Sequence, residues 1–394
     1  MKFDNAFFDL PIDRRGTACE KWDCLMEREK RELNPMWVAD MDFRCVPEIT
    51  EALVKRASHP VYGYTEQTDA AIDAMLGFMS RRHGVDLSKQ QQTLLPCVIT
   101  GLRAAVCALT KPGDAVIVQP PVYGPFFASA KENGRVAAES PLVRDENGRY
   151  TMDFADIERK CEDGAKLMLL CNPHNPVGRV WTRDELQTLL DILAKHGVPL
   201  ISDEIHEDFV YQKGAFHPIL SLATKDDDRV VALTSASKTF NLAGLQQAVM
   251  FTRNQPMKQQ LEDAMRFAGV VQGNIFALAA TEAAYRYGDA WLDGLLEYIM
   301  QANTMLRTEL SARLPKAIVS PLDATYLAWV DLRAYGFSTA ELMRRTYAAG
   351  VAFTPGTFFG EKHGEGFQRV NLACPHAQTL DAIQRLENAV KGND

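Results

Sequence analysis

No apolar run in this 394-residue chain approaches the roughly 20 residues that a membrane-spanning helix requires. A basic excess is missing too: 43 Lys and Arg against 51 Asp and Glu give a net charge of −8. A general nucleic-acid binder needs a basic surface, and an acidic protein is repelled by anionic lipid, so neither partner is expected. Eight cysteines are dispersed without a C-x-x-C pair or zinc-like spacing, which predicts a reduced chain. The opening residues, MKFDNAFFDLPIDRRG, carry acids where a signal peptide has its apolar stretch. Internal repeats, low-complexity tracts and Gly/Ser linkers are absent, as are G-x-G-x-x-G, G-x-x-x-x-G-K-[ST] and H-E-x-x-H. These exclusions predict a cytoplasmic protein of two or three closely packed domains, at about 150 residues each.

What is present is regular. AVIVQ (115–119), KLMLLC (166–171), VPLIS (198–202) and RVVALTS (229–235) are short and apolar throughout, as strands covered on both faces are. Between the second and third, TRDELQTLLDILAKHG offers Thr182 and Glu185 as a capping box and Gly197 as a stop. Such alternation predicts an α/β domain around a mostly parallel sheet. From about residue 256 helical patterns dominate: QPMKQQLEDAMRFAG, IFALAATEAAYR, and Trp291 to Leu314. Two further strand patterns, ATYLAWVDL (324–332) and QRVNLA (368–373), frame a helix that Ser338 and Glu341 can cap, predicting a smaller α+β domain. The first 45 residues show no period.

Ligands of open α/β sheets bind beyond the carboxyl ends of the strands. Those ends supply PPVYGPF, NPHNPVG, DEIHED and ASKTFN in turn. A fifth run, LLPCVIT, leads to Gly101 and Leu102 at the opening of a helical pattern, where free N–H groups make an anion site. Anion site, aromatic plate, carboxylate and lysine together suit pyridoxal 5'-phosphate. Lys238 can attack its aldehyde, Asp203 can pair with the pyridine nitrogen, and Tyr123 can stack on the ring. Asn175 can bond the phenolic oxygen, Ser235 the phosphate, and Arg369 a substrate carboxylate through two parallel bonds. Trp37 can line the substrate entrance. Taken singly, each has an ordinary explanation: a solvated lysine, a capping aspartate, a turn asparagine. Placement at successive strand ends is what points to one site. Arg81-Arg82-His83 and Asp226–Asp228 read as solvated turn charges, and an acidic metal site around 203–208 is the alternative for DEIHED.

Segments running essentially end to end carry a family likeness: FDLPIDRRGT with KWD, PMWVADMDF (35–43), YGYT (62–65), CNPHNPVGRVW (171–181), SDEIHEDFV (202–210), SASKTFNLAGLQ (235–246), ATYLAWVDLR (324–333) and GFQRVNLACP. On these the chain resembles fold-type I pyridoxal-phosphate enzymes of the class I/II aminotransferase superfamily. Within it, the chain resembles the cystathionine β-lyase group of MalY/PatB type, the C–S β-lyases. The resemblance implies the aspartate aminotransferase fold, with a large domain over 46–285 and a small one from 1–45 together with 286–394. It implies Lys238 linked covalently to the cofactor, Asp203, Asn175, Tyr123 and His206 around the ring, and Arg369 as the α-carboxylate clamp. Tyr64 is then the tyrosine that reaches the phosphate from a neighbouring subunit, implying a homodimer with shared active sites. His206, a side chain that ordinarily titrates near neutrality, stands where aminotransferases usually carry tyrosine. Gln246 stands where many relatives carry a phosphate-binding arginine. The implied activity is β-elimination from cystathionine or cysteine-type amino acids to pyruvate, ammonia and a thiol. An aminotransferase working from the same site is the alternative, and a regulatory binding protein is a third.

Overall fold

All four apolar runs are strands of one seven-stranded sheet in the computed structural model, which describes residues 2–225, 228–270 and 273–392. In chain order the strands are β1 (Gln92–Leu95), β2 (Ala115–Val118), β3 (Val136–Glu139), β4 (Leu167–Cys171), β5 (Leu200–Asp203), β6 (Val230–Thr234) and β7 (Ala248–Phe251). Their spatial order is β1-β7-β6-β5-β4-β2-β3, with β7 antiparallel to both neighbours and the remaining pairs parallel. Val116, Val118, Leu167, Leu169, Ile201, Val231 and Leu233 enter one core, shared with helices Val98–Leu109 and Gln255–Phe267. The alternate residues Ile117, Met168, Leu170, Leu200, Val230 and Ala232 enter a second core on the opposite face. Neither face meets water, which is why the runs read as apolar throughout.

Local signals end the elements where expected in some places and not in others. Thr182 and Glu185 close a capping box over the helix Arg183–His196, and Gly197 ends it at φ 66°. Ser338 accepts from the Glu341 N–H, but the Glu341 carboxylate turns to Arg344 and Arg345 instead of completing a box. LLPCVIT divides: β1 ends at Leu95, and the next helix begins at Val98. The helix Gln255–Phe267 packs on the main sheet, so the change of pattern near 256 does not mark the sheet's last covering helix. Asp226 and Asp227 lie outside the described residues, while Asp228 accepts from the Lys225 N–H at 2.8 Å in a turn.

A second, antiparallel sheet orders Ile318–Val319, Leu327–Asp331, Phe367–Asn371 and Thr354–Pro355. The first 45 residues fasten to this part of the chain at two places. Asn34–Pro35 pair in parallel with Val351–Ala352. Phe8 packs against Phe43, Trp291 and Tyr298 at ring separations of 5.2, 5.8 and 5.3 Å. Among the described residues, no helix is long and apolar enough to cross a membrane. Replacing the capping hydroxyl by Thr182→Ala should destabilise the protein by about 1 kcal/mol, read as a lower urea midpoint.

Candidate active site

Strands β2, β4, β5 and β6 are parallel, so their carboxyl ends open on one edge of the sheet. Lys238 lies in the single helical turn Ala236–Thr239 that follows β6. Its Nζ donates to the Ala39 carbonyl at 2.7 Å. Burial and the nearby Arg369 charge pull the ammonium down to about 8, against the opposing pull of Asp40 and Asp203. About a tenth of the lysine is therefore neutral at pH 7. Asp203 ends β5, is buried, and accepts from the Ile205 N–H at 3.1 Å. Burial pushes its carboxyl up to about 7, although that hydrogen bond and Lys238 act the other way. It forms no ion pair among the described residues, so its charge is poorly compensated.

Arg369, on the strand Phe367–Asn371, is buried and reaches across to three acceptors. Its Nη2 donates to the Trp37 carbonyl at 2.7 Å and to Thr354 Oγ1 at 3.1 Å, and its Nη1 to Asn175 Oδ1 at 3.3 Å. Nε has no partner among the described residues. Burial pulls the guanidinium down to about 10, which leaves it charged at neutral pH. His206 lies beside Phe209 and Tyr326, with Nδ1 unpartnered. Burial, with the charges of Lys238 and Arg369, pulls its imidazole down to about 3. His206 is therefore neutral across the physiological range and does not titrate there. Tyr123 is half-buried with its ring 5.8 Å from that of Phe358. Trp37 reaches the site through its carbonyl, while its indole donates to the Lys21 carbonyl at 3.2 Å.

Residues 37–43 form an irregular strap across this edge, and sequence reasoning missed its part. The Trp37 carbonyl accepts from Arg369 and Thr354, and that of Val38 from Asn371. Ala39 accepts from Lys238 and from Tyr326 Oη at 2.9 Å. Asp40 accepts from Asn371 at 2.7 Å, and Met41 from Asn241 at 3.0 Å. Beneath the strap, Asp42 takes Lys21 at 2.8 Å, Arg14 at 2.7 Å and Trp22 Nε1 at 3.1 Å. Burial opposes both charges, yet the pairing holds Lys21 above its ordinary value and Asp42 below. Only the motif PMWVADMDF could have signalled this, because a backbone acceptor has no residue type.

The local geometry corrects the expected helix opening at Gly101 and Leu102 and places the other expected residues. Gly101 and Leu102 do not open a helix. The helix starts at Val98 behind an extended Cys97, so the N–H groups without helical acceptors belong to Cys97, Val98 and Ile99. A Cβ at Gly101 would lie 2.8 Å from Leu233 and 2.9 Å from Leu95, so the glycine serves close helix–sheet approach. The Ser235 hydroxyl donates to the Gln247 carbonyl at 2.6 Å, and its oxygen caps the Lys238 turn by accepting from the Ser237 N–H. His83 is buried against Asp208 rather than solvated. Tyr64 is 95% exposed, away from the residues just described. Gln246 is exposed at φ 56°, its amide donating to the Ala243 carbonyl at 2.9 Å.

This arrangement can be set against known proteins. Residues 37–386 match the family described as aminotransferase class I and II. The chain belongs to that family. It is similar to cystathionine β-lyase PatB of Bacillus subtilis (strain 168), at 41% identity over 97% of this chain and 99% of the relative. Among solved structures it is similar to cystalysin from Treponema denticola, which contains pyridoxal 5'-phosphate: TM-score 0.93, 32% identity, 98% of each chain. It is also similar to the pyridoxal-phosphate-bound C–S lyase from Staphylococcus hominis complexed with L-cycloserine: TM-score 0.90, 31% identity, 97% of this chain and 98% of that one. These likenesses bear out the expected fold class and the resemblance to the C–S β-lyase group.

Two outcomes follow from the geometry. Gly101→Ala should destabilise by roughly 1–3 kcal/mol through overpacking, read in thermal melts, and leave cofactor affinity unchanged. The second concerns pH. In the cofactor-free protein the Asp203 value, about 7, exceeds its ordinary 3.8. Its contribution is full below pH 3.8 and is lost as pH rises to about 7. Asp203→Asn should therefore raise the melting temperature of cofactor-free protein more at pH 8 than at pH 5. An equal gain at both would contradict the buried, uncompensated carboxylate.

Proposed function

We propose that this protein is a pyridoxal-phosphate-dependent C–S β-lyase. It eliminates the β-thiol from cystathionine or cysteine-type amino acids and yields pyruvate, ammonia and a thiol. The observation that carries this reading is the convergence of Lys238, Asp203 and Arg369 on one enclosed edge, in a chain 41% identical to a cystathionine β-lyase. The side chains fit the cofactor. An uncompensated buried carboxylate at Asp203 suits a protonated pyridine nitrogen, and neutral His206, buried within reach of the Lys238 and Arg369 charges, has an Nδ1 without a partner among the described residues. Asn175 suits the phenolic oxygen, Tyr123 the ring face, and the free N–H groups of Cys97–Ile99 the phosphate.

Pyridoxal phosphate, when bound, supplies a sink for the electron pair left at the substrate's α-carbon. Arg369 holds the α-carboxylate and is itself fixed by Asn175, Thr354 and the Trp37 carbonyl, so the substrate enters in one orientation. Lys238, whose hold on a proton is weakened by burial and by Arg369, takes the α-proton and can return it to the departing sulfur. The three-carbon enamine that remains hydrolyses to pyruvate and ammonia. The fastening of 1–45 to the C-terminal third supports a small domain made of 1–45 together with 286–394, beside a large domain of 46–285. Exposed Val61, Tyr62 and Tyr64 support a homodimer in which Tyr64 enters the second copy's site. Eight free cysteines are consistent with a cytoplasmic location.

Incubation with cystathionine and no keto acid tests the activity. Stoichiometric pyruvate and ammonia, with the cofactor spectrum unchanged at the end, is the expected result. Conversion of the cofactor to its amine form without pyruvate would make the protein an aminotransferase. Lys238→Ala should slow pyruvate release about a thousandfold or more.

A further inference from the structure

Thr239 directly follows Lys238 in the one-turn helix Ala236–Thr239. Its hydroxyl donates to Asp208 Oδ2 at 2.6 Å. Asp208 lies in the turn that leaves β5, five residues after Asp203 and two after His206. Its other oxygen, Oδ1, is 2.7 Å from Nε2 of His83, the last residue of the helix Asp69–His83. All three side chains are buried. One chain of hydrogen bonds thus joins the loop carrying the ring-side groups to the turn carrying the lysine, and anchors both to a third element. A single helical turn has little tendency to persist alone, so its setting depends on what holds its two ends. Ser235 caps the first end, and Thr239 fixes the second.

We propose that His83, Asp208 and Thr239 are positioning residues that set the direction of the Lys238 side chain relative to Asp203 and His206. The proposal rests on the reading of Lys238 as the lysine that bears the cofactor. The charges in the cluster balance. Burial opposes a proton on His83, but Glu207 and Asp208 prevail over it and over Arg82, and hold the imidazole up to about 9. The C-terminal end of its helix favours that cation as well. Glu207 is pushed up to about 7 by burial; one of its oxygens accepts from Thr234 and the other has no partner among the described residues. One cation, one anion and a carboxyl near its midpoint make a nearly neutral group, which a core tolerates far better than a lone charge. His83 is further confined edge-on between Phe78 and Phe216 at 6.3 and 5.3 Å. His83, Glu207 and Asp208 also stand close enough together to hold a metal ion. Both Asp208 oxygens are already engaged by Thr239 and His83, which favours the ion-pair arrangement.

The test uses holoenzyme and four variants. Thr239→Val removes the hydroxyl at nearly constant volume, Thr239→Ser keeps it, Asp208→Asn removes the charge, and His83→Gln keeps a donor toward Asp208. In Thr239→Val and Asp208→Asn, the pH midpoint of the lysine–cofactor absorption band should move by about half a unit or more. Their kcat should fall about tenfold or more, with KM within about twofold of wild type. Thr239→Ser should restore both, and His83→Gln should shift the band less than Asp208→Asn. An unmoved midpoint and unchanged kcat in Thr239→Val overturn the proposal. So does a lower melting temperature as the only change, which would make the network merely structural. If Thr239→Val does not fold, an unmoved midpoint in both Asp208→Asn and His83→Gln overturns it equally. A stoichiometric divalent metal in washed wild-type protein would overturn the ion-pair arrangement. Absence of the lysine–cofactor band in wild type would instead defeat the underlying assignment of Lys238, whatever the variants do.

Discussion

The site depends on an irregular segment whose carbonyls are paired by side chains instead of by a neighbouring strand. Residues 37–41 present five successive carbonyls, and each is taken by a side chain of another element: Arg369, Asn371, Lys238, Tyr326 or Asn241. Buried backbone acceptors must be paired, and here the groups that pair them include those that would handle substrate. The requirement is mutual. In the cofactor-free chain Lys238 rests against the Ala39 carbonyl, while Asn371 and Arg369 hold the strap down on either side of it. Asp42, paired with Lys21 and Arg14 beneath it, fixes the strap's far end. Removing one partner of such a buried pair leaves an uncompensated charge, which explains why the KWD and PMWVADMDF motifs occur together.

Electrostatics then do the remaining work with few charges. An acidic chain of net charge −8 builds a site whose fixed groups are Lys238, Arg369 and Asp203, all displaced from their ordinary values by burial. The lysine is lowered and the aspartate raised, so the two lie within reach of neutral pH from opposite sides. Overall charge therefore says what the surface repels, while local desolvation decides what the cleft can do. Neutral His206 and unpartnered Arg369 Nε add hydrogen-bonding capacity without adding another titration near pH 7.

Much of this was legible in the sequence, for a definite reason. Strands buried on both faces leave apolar runs, and four of the seven main-sheet strands, β2, β4, β5 and β6, were found that way. Because those four are parallel, the residues that follow them gather at one edge, so Lys238, Asp203, Asn175 and Tyr123 could be placed together without coordinates. The failures share a cause as well. Gly101 was misread because glycine marks both anion loops and close packing, and only the neighbouring Leu233 and Leu95 tell them apart. Ser235, read as a phosphate donor, donates to the Gln247 carbonyl in the cofactor-free chain, a partner that a linear pattern does not show. The strap was invisible as chemistry because its contribution is backbone. His83 looked solvated beside Arg81 and Arg82, since the last turn of a helix exposes some side chains and buries others.

The strap also fixes an order of events in the making of the protein. Its carbonyl partners Arg369 and Asn371 stand 332 and 333 residues away along the chain. As the chain emerges in the N-to-C direction, the strap is made long before those partners. The main sheet, complete by residue 251, can form around Lys238 while that lysine is still uncovered. Closure over it waits for the strand Phe367–Asn371, far downstream of that sheet. A chain cut short there would keep its central sheet and its lysine, but never the lid of carbonyls that gives the lysine its setting.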